Sequence, residues 1–272
     1  MQAVRILFDA RKAGHTGNLD PFATGMLPVC LGEATKTAAF MLDADKTYRA
    51  TARLGEATTT GDPEGELILQ LPVPDLDARA VADLLSSLVG PISQVPPMFS
   101  ALKHQGRPLY EYARQGIVIE REPRPVTIHE LRLLHWQAPE LQFEVRCSKG
   151  TYVRTLAEDI ARALGSCAHL RELRRLSVAP FPAQDMVTLD ALGEAAEAGR
   201  LQDFLLPVDA GLAHLPVVIL DEAQARAFQR GNPVASEGTA GWVRARDAQG
   251  LLLGLGEVLG GLLQPRRVMQ VC

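Results

Sequence analysis

The segment GHTGNLDPFATG, residues 14–25, gathers the groups best suited to acid–base or nucleophilic work. His15 and Asp20 share one short loop, and Pro21 fixes the backbone just after the aspartate. Glycines at 14 and 17 admit backbone conformations closed to other residues, so the loop can curve tightly. An ordinary aspartate, with a pKa of about 3.9, is anionic at neutral pH and ready to act as a base or nucleophile. The same residues also suit a plain turn, in which the aspartate caps its own backbone and the histidine is structural. Turn chemistry taken alone favours that plainer use. A second distinctive stretch, residues 99–124, interleaves Lys103, His104, Arg107, Arg114, Arg121 and Arg124 with Phe99, Tyr110 and Tyr112. It reads as a solvated helix face or as a surface for phosphates and bases. The four cysteines (Cys30, Cys147, Cys167 and Cys272) form no CxxC pair and no His/Cys cluster at zinc spacing. Reduced cysteines of a cytosolic interior and no metal site are therefore expected.

The bulk properties bound the rest. At 272 residues, 47% hydrophobic and 22% charged, the chain has the composition of a folded globular protein. No apolar run reaches the length of about 18–20 residues that a membrane span needs, and the N-terminus lacks the apolar core of a secretory signal. A cytoplasmic location with no membrane partner is expected. The net charge of −4 argues mildly against nucleic acid, but the charge is unevenly spread. Residues 99–176 hold 13 basic against 9 acidic groups, whereas 61–98 hold 1 against 6. Local sign, more than the total, governs attraction to phosphates.

Around these residues the pattern predicts positioning elements. A short helix is expected over 35–42, and TYRATARLG (47–55) alternates as a strand with Tyr48, Ala50 and Ala52 on one face. TTTGDPEGE (58–66) reads as a loop and ELILQL after it as a strand. Helical spacing marks 77–90, and 94–116 is expected to start extended and continue as a basic, aromatic helix. Strands are expected near 117–135 and 141–148, then a turn feeding a helix over 150–165, then an extended ELRRLSVAPF. An acidic helical linker near 188–205 leads to short Val- and Gly-rich strands, from LPVVIL to RRVMQV.

GHTGNLDPFATGMLPVCLGEATK resembles the signature of the bacterial TruB family of tRNA pseudouridine synthases. Further segments resemble the family in the same order: DKTYRATARLGEATTTGDPEG (45–65), PPMFSALKHQGRPLYEYARQG (96–116), SKGTYVRTLAEDIARALG (148–165) and LRRLSVAPF (173–181). Weaker similarity continues through GNPV (231–234) and the PRR at 265–267. The resemblance implies an α+β fold: a mixed, mainly antiparallel-sheet catalytic domain over 1–206 with an RNA-binding thumb inserted at about 94–124, and a small β-rich PUA-like domain over 207–272. It implies Asp20 as the catalytic carboxylate and Arg154 as its guanidinium partner. Tyr48 is the implied stacking tyrosine and Tyr152 a second pocket tyrosine. His15 would stand where the extruded base had been, and Leu173 would line the pocket. Lys103, Arg107 and Arg114 are candidates for the RNA backbone. Read without the family, the tyrosines suit half-buried strand positions and Arg154 a surface helix start.

The expected activity is conversion of a uridine in the TΨC arm of tRNA, at position 55, to pseudouridine. The reaction is redox-neutral, and no cofactor is expected. The expected partner is the TΨC stem-loop, bound by a monomer with no obligate protein partner. Two other readings remain open: a catalytically impaired RNA-binding or tRNA-folding protein, and a carboxylate-dependent glycosidase. The latter wants two cooperating carboxylates, and no second candidate stands out near the site segments. The family pattern also has a first strand and a DKPxGxTS-like motif ahead of GHTG, whereas Gly14 here follows only thirteen residues. A catalytic domain short at its N-terminus, with a sheet edge or core face left uncovered, is therefore expected.

Overall fold

The strand Lys46–Leu54 alternates as its sequence predicts, turning Ala50, Ala52 and Leu54 inward with almost no exposure. In the computed structural model, which describes residues 1–270, it is a central strand of a six-stranded sheet. The order across the sheet is Thr24–Gly25, Ala168–Val178, Lys46–Leu54, Glu140–Cys147, Arg124–Gln137 and Gly90–Gln94. Every neighbouring pair is antiparallel except the first, which is parallel. One face is covered by the helices Ala78–Ser87 and Val153–Ala163. Val81 and Leu85 of the first and Leu156 and Ile160 of the second join Leu141, Phe143, Val145 and Leu170 of the sheet in one apolar core. Asp77 caps the first helix, its carboxylate accepting the Ala80 N–H.

The short edge strand Thr24–Gly25 anchors the Asp20 loop. The Met26 N–H donates to the Arg175 carbonyl at 2.8 Å, and Arg175 Nε returns a bond to the Met26 carbonyl at 2.7 Å. Gly25 has φ +101°, and a Cβ there would lie 2.1 Å from the Arg175 carbonyl oxygen. Only glycine lets the two backbones approach this closely.

The chain forms two compact units. Residues 19–26 and 43–186 make the unit just described; residues 1–18, 27–42 and 187–272 make the other, described through residue 270. The second unit has a five-stranded sheet in the order Val217–Leu220, Gly241–Asp247, Leu252–Leu259, Leu262–Val268, Val234–Ala235. The helix Glu222–Gln229 lies against it and buries Phe228. Asp209 is nearly buried and pairs with Arg244 at 3.1 Å and Arg246 at 2.5 Å, tying the segment before the sheet to a central strand.

The fold is mixed, with mainly antiparallel sheets, as expected, and several elements differ in detail. The expected helix over 35–42 is a 3-10 turn, Gly32–Lys36, followed by the α-helix Ala38–Leu42. The expected long helix within 94–116 is instead a hairpin of Lys103–His104 and Arg107–Pro108 followed by the five-residue helix Leu109–Ala113. Gln105 and Gly106 both have positive φ, the geometry of a two-residue hairpin turn. The strand expected from 117 begins at Arg124. The helix Glu222–Gln229 was not expected, although Asp221 and Gln224 form the reciprocal capping box that announces one. Cys272 and the last residue of the expected strand RRVMQV, Val271, lie outside the described residues.

Replacing Gly25 with alanine should lower the urea midpoint by an amount equivalent to more than about 2 kcal/mol, from strain plus the displaced strand. Gly116→Ala, at φ +70° but with open space around its Cβ, is the control. It should cost about 1 kcal/mol. Equal losses for the two would refute the close-approach argument.

Candidate active site

The site is built around the Arg154 guanidinium. Helix Val153–Ala163 starts one residue earlier, so its first turn carries Arg154 inward, where the side chain is 4% exposed. Nε donates to Asp20 Oδ2 at 2.8 Å and Nη2 to Asp20 Oδ1 at 3.0 Å, a bidentate fork. Nη1 donates to the Thr60 carbonyl at 2.7 Å, and Nη2 also to the Phe99 carbonyl at 2.8 Å. Asp62 Oδ2 stands 3.6 Å from Nη1. A guanidinium removed from water requires this density of acceptors, because an unpaired buried charge costs several kcal/mol. The surface helix-start reading of Arg154 is therefore corrected: the side chain is buried.

Asp20 and Asp62 are two carboxylates on one arginine, yet they differ in access. The Asp20 side chain is 33% exposed and the Asp62 side chain 5%. Asp62 Oδ1 is occupied by the Thr60 hydroxyl and the Glu64 N–H, an Asx-type turn that closes the 59–65 loop. The expectation that no second carboxylate accompanies Asp20 is thus corrected. Asp62 is that second carboxylate, but it is sealed inside its loop, whereas Asp20 keeps an exposed side. Burial raises the Asp20 carboxyl above the ordinary aspartate range; the charge and hydrogen bonds of Arg154 oppose the rise, and Asp62 adds to it.

Tyr48 lies on Lys46–Leu54 opposite Arg175 on the neighbouring strand. Burial pushes its phenol up, while the charge and side-chain hydrogen bond of Arg175 act against that rise. Arg175 is 1% exposed and, through Met26, also holds the segment that carries Asp20. Tyr152 is the N-cap residue of the Arg154 helix and half-buried; burial raises its phenol too. Leu173 is buried in the core opposite Ala50. Asp20, Tyr48, Tyr152, Arg154 and Leu173 all belong to the larger unit. His15 belongs to the other, on the strand Ala13–His15, where its Nδ1 accepts the Gly17 N–H at 3.4 Å.

In the segment 99–124, Lys103, Arg107 and Arg114 are exposed. Arg107 pairs with Glu111 at 3.3 Å and stands 4.7 Å above the Tyr112 ring; Arg114 stands 5.3 Å above Tyr110. These cation–π contacts order a segment with little core of its own. Asp62, Arg175 and the acceptor carbonyls of Thr60 and Phe99 were not singled out from sequence. For Asp62 the spacing T-x-D-x-E inside a Gly/Pro loop was the available signal; the others had none.

The chain that carries this site matches a known class of enzyme, the pseudouridine synthases. Residues 5–153 match the N-terminal domain of the TruB family pseudouridylate synthases. Residues 154–213 match the C-terminal domain of tRNA pseudouridylate synthase B, and 216–269 a C-terminal domain of pseudouridine synthase II TruB. The chain belongs to the TruB family of pseudouridine synthases. The protein of Aromatoleum aromaticum named tRNA pseudouridine synthase B is 52% identical over 271 residues, covering 99% of this chain and 87% of that one. The protein of the same name from Chromohalobacter salexigens is 51% identical over 274 residues, covering 99% and 89%. Among solved structures, a chain of a Cbf5–Nop10–Gar1 complex shares the fold with TM-score 0.74 at 24% identity, over 97% of this chain and 78% of that one.

Arg154→Met should destabilise the larger unit by about 3–5 kcal/mol, because Asp62 would be left buried without its counter-charge. The double variant Arg154→Met/Asp62→Leu should recover part of that loss in the same denaturant titration. A double variant as unstable as the sum of the two singles would argue against the pairing.

Proposed function

We propose that this enzyme isomerises a uridine of the TΨC arm of tRNA, at position 55, to pseudouridine, with Asp20 as the catalytic carboxylate. The observation that carries the reading is the bidentate Asp20–Arg154 pair, in which the arginine is buried and the carboxylate keeps an exposed side. Relatives that match nearly the whole chain are named tRNA pseudouridine synthase B, which supports tRNA as the substrate. In the reaction the N1–C1′ bond of the uridine breaks, the base turns, C5 bonds to C1′, and the C5 proton is lost while N1 regains one. Asp20 acts as an anion on the extruded nucleotide, and Arg154 holds it oriented and charged. Tyr48 stacks on the base, recovering part of the cost of unstacking it, a few kcal/mol. Tyr152 and Leu173 line the pocket, and His15 takes the place of the extruded base. Lys103, Arg107 and Arg114 hold the RNA backbone, and residues 207–272 form the PUA-like domain.

Asp20→Asn should abolish pseudouridine formation on a tRNA transcript, read by carbodiimide-dependent reverse-transcription stops, while leaving tRNA binding intact. Product from the variant at the parent rate would sink the assignment. The working form of Asp20 is ionised, and burial raises its pKa. Activity should therefore fall as pH drops through a value above that of an ordinary aspartate, giving an acid limb shifted to higher pH. Arg154→Gln should move that limb higher still. A limb at the ordinary aspartate value in both proteins would contradict the burial argument.

Lys103→Ala/Arg107→Ala should weaken tRNA binding and lower its salt slope by about 1 for each phosphate that is no longer neutralised. An unchanged slope would remove both residues from the interface.

A further inference from the structure

The N-cap residue of the helix Val153–Ala163 is held from a distance. Its N-cap residue is Tyr152, whose side chain makes no capping hydrogen bond. Serine, threonine, aspartate and asparagine are the residues that ordinarily satisfy the free N–H groups of a helix start. A tyrosine that serves the pocket with its ring cannot also do this. The local backbone is held instead by Gln94, 58 residues away in the chain and 2% exposed. Gln94 Oε1 accepts the Tyr152 N–H at 3.0 Å, and Gln94 Nε2 donates to the Tyr152 carbonyl at 3.3 Å. The same carbonyl accepts the Leu156 N–H at 3.0 Å, the first bond of the helix. A primary amide is the side chain that satisfies both backbone groups of one residue at once.

Gln94 also marks the root of the insertion. It ends the strand Gly90–Gln94 and lies opposite Arg124, where the chain re-enters the sheet. Five residues beyond Gln94, the Phe99 carbonyl receives Arg154 Nη2. The stretch leading into the insertion therefore grips the Arg154 helix twice, once by backbone and once by guanidinium.

We propose that Gln94 is a positioning residue for the isomerisation, fixing the backbone that presents Tyr152 and Arg154 to Asp20. The proposal rests on Asp20 being the catalytic carboxylate. Arg154 lies two residues beyond the clamped peptide, so a small rotation of that peptide misaligns the fork on Asp20. Misplacement of about 1 Å at a reacting group can cost about 100-fold in rate. Tyr152 and Arg154 would shift together, while the exposed face of the insertion stays as it was.

The test compares the full chain with Gln94→Met, which removes both bonds at similar volume, and Gln94→Glu, which keeps the acceptor and loses the donor. Single-turnover rates on a tRNA transcript are measured from about pH 5 to 9, corrected for the folded fraction from thermal melts, beside tRNA Kd. Gln94→Met should bind tRNA within about threefold of the parent and react about 10- to 100-fold more slowly per folded molecule. Its acid limb should move to higher pH, because a loosened Arg154 opposes less of the rise that burial and Asp62 impose on Asp20. Gln94→Glu should fall between the two, and it carries the test by the same readouts if Gln94→Met fails to fold. Parent rates and pH profile for the folded Gln94 variants, beside an inactive Asp20→Asn, would overturn the proposal alone. A loss explained wholly by Kd would do the same. Product from Asp20→Asn at the parent rate would overturn the reading of Asp20 and the proposal with it.

Discussion

Burying the Arg154 guanidinium is the constraint on which the larger unit turns. A cation at 4% exposure is tolerable only if its donors are met, and here three separate stretches meet them. Asp20 comes from the edge segment, Thr60 and Asp62 from a closed loop and Phe99 from the stretch that follows the strand Gly90–Gln94, while the arginine itself stands on a helix. Each segment is irregular where it touches the guanidinium, and each is anchored behind by the regular sheet. The site is precise because a misplaced segment would strand a charge.

A second buried cation serves the same end on the other flank. Arg175 reaches the Met26 carbonyl and faces Tyr48 across two strands, so the Asp20 segment and the tyrosine share one support. Gly25 permits that junction by having no side chain where the Arg175 carbonyl lies. Asp20 is consequently a carboxylate under opposed influences, raised by burial and lowered by its arginine. Desolvation makes such a carboxylate more reactive, and the neighbouring positive charge favours its ionised form. Asp62 differs in its surroundings more than in its chemistry, because its own loop has already used its free oxygen.

The segment 99–124 shows how little regular structure is needed to hold basic groups in order. A two-residue hairpin turn and one helical turn suffice, with arginines lying over tyrosine rings to replace a core. The sequence there suggests a longer helix because its charges and aromatics suit helical spacing. Gln105-Gly106 overrides that suggestion, since positive φ at two successive residues breaks a helix and closes a hairpin.

Much of this was legible in the chain alone. Alternation in TYRATARLG gives the central strand with its inward alanines, apolar spacing gives the helices near 77–90 and 150–165, and the GHTGNLDP segment gives the family through resemblance. Such features are local: they follow from side-chain period, caps and turn residues within a dozen positions. The partners of Arg154 are not local. Asp62 looked like one more acidic loop residue, Arg175 like the second of two neighbouring arginines, and Gln94 like the first residue of an extended, proline-bearing stretch. What gave them their parts was the register of strands far apart in sequence and the burial that register produces. Burial sets the cost of an unpaired charge, and only the tertiary structure decides which charges are buried and what stands within reach of them.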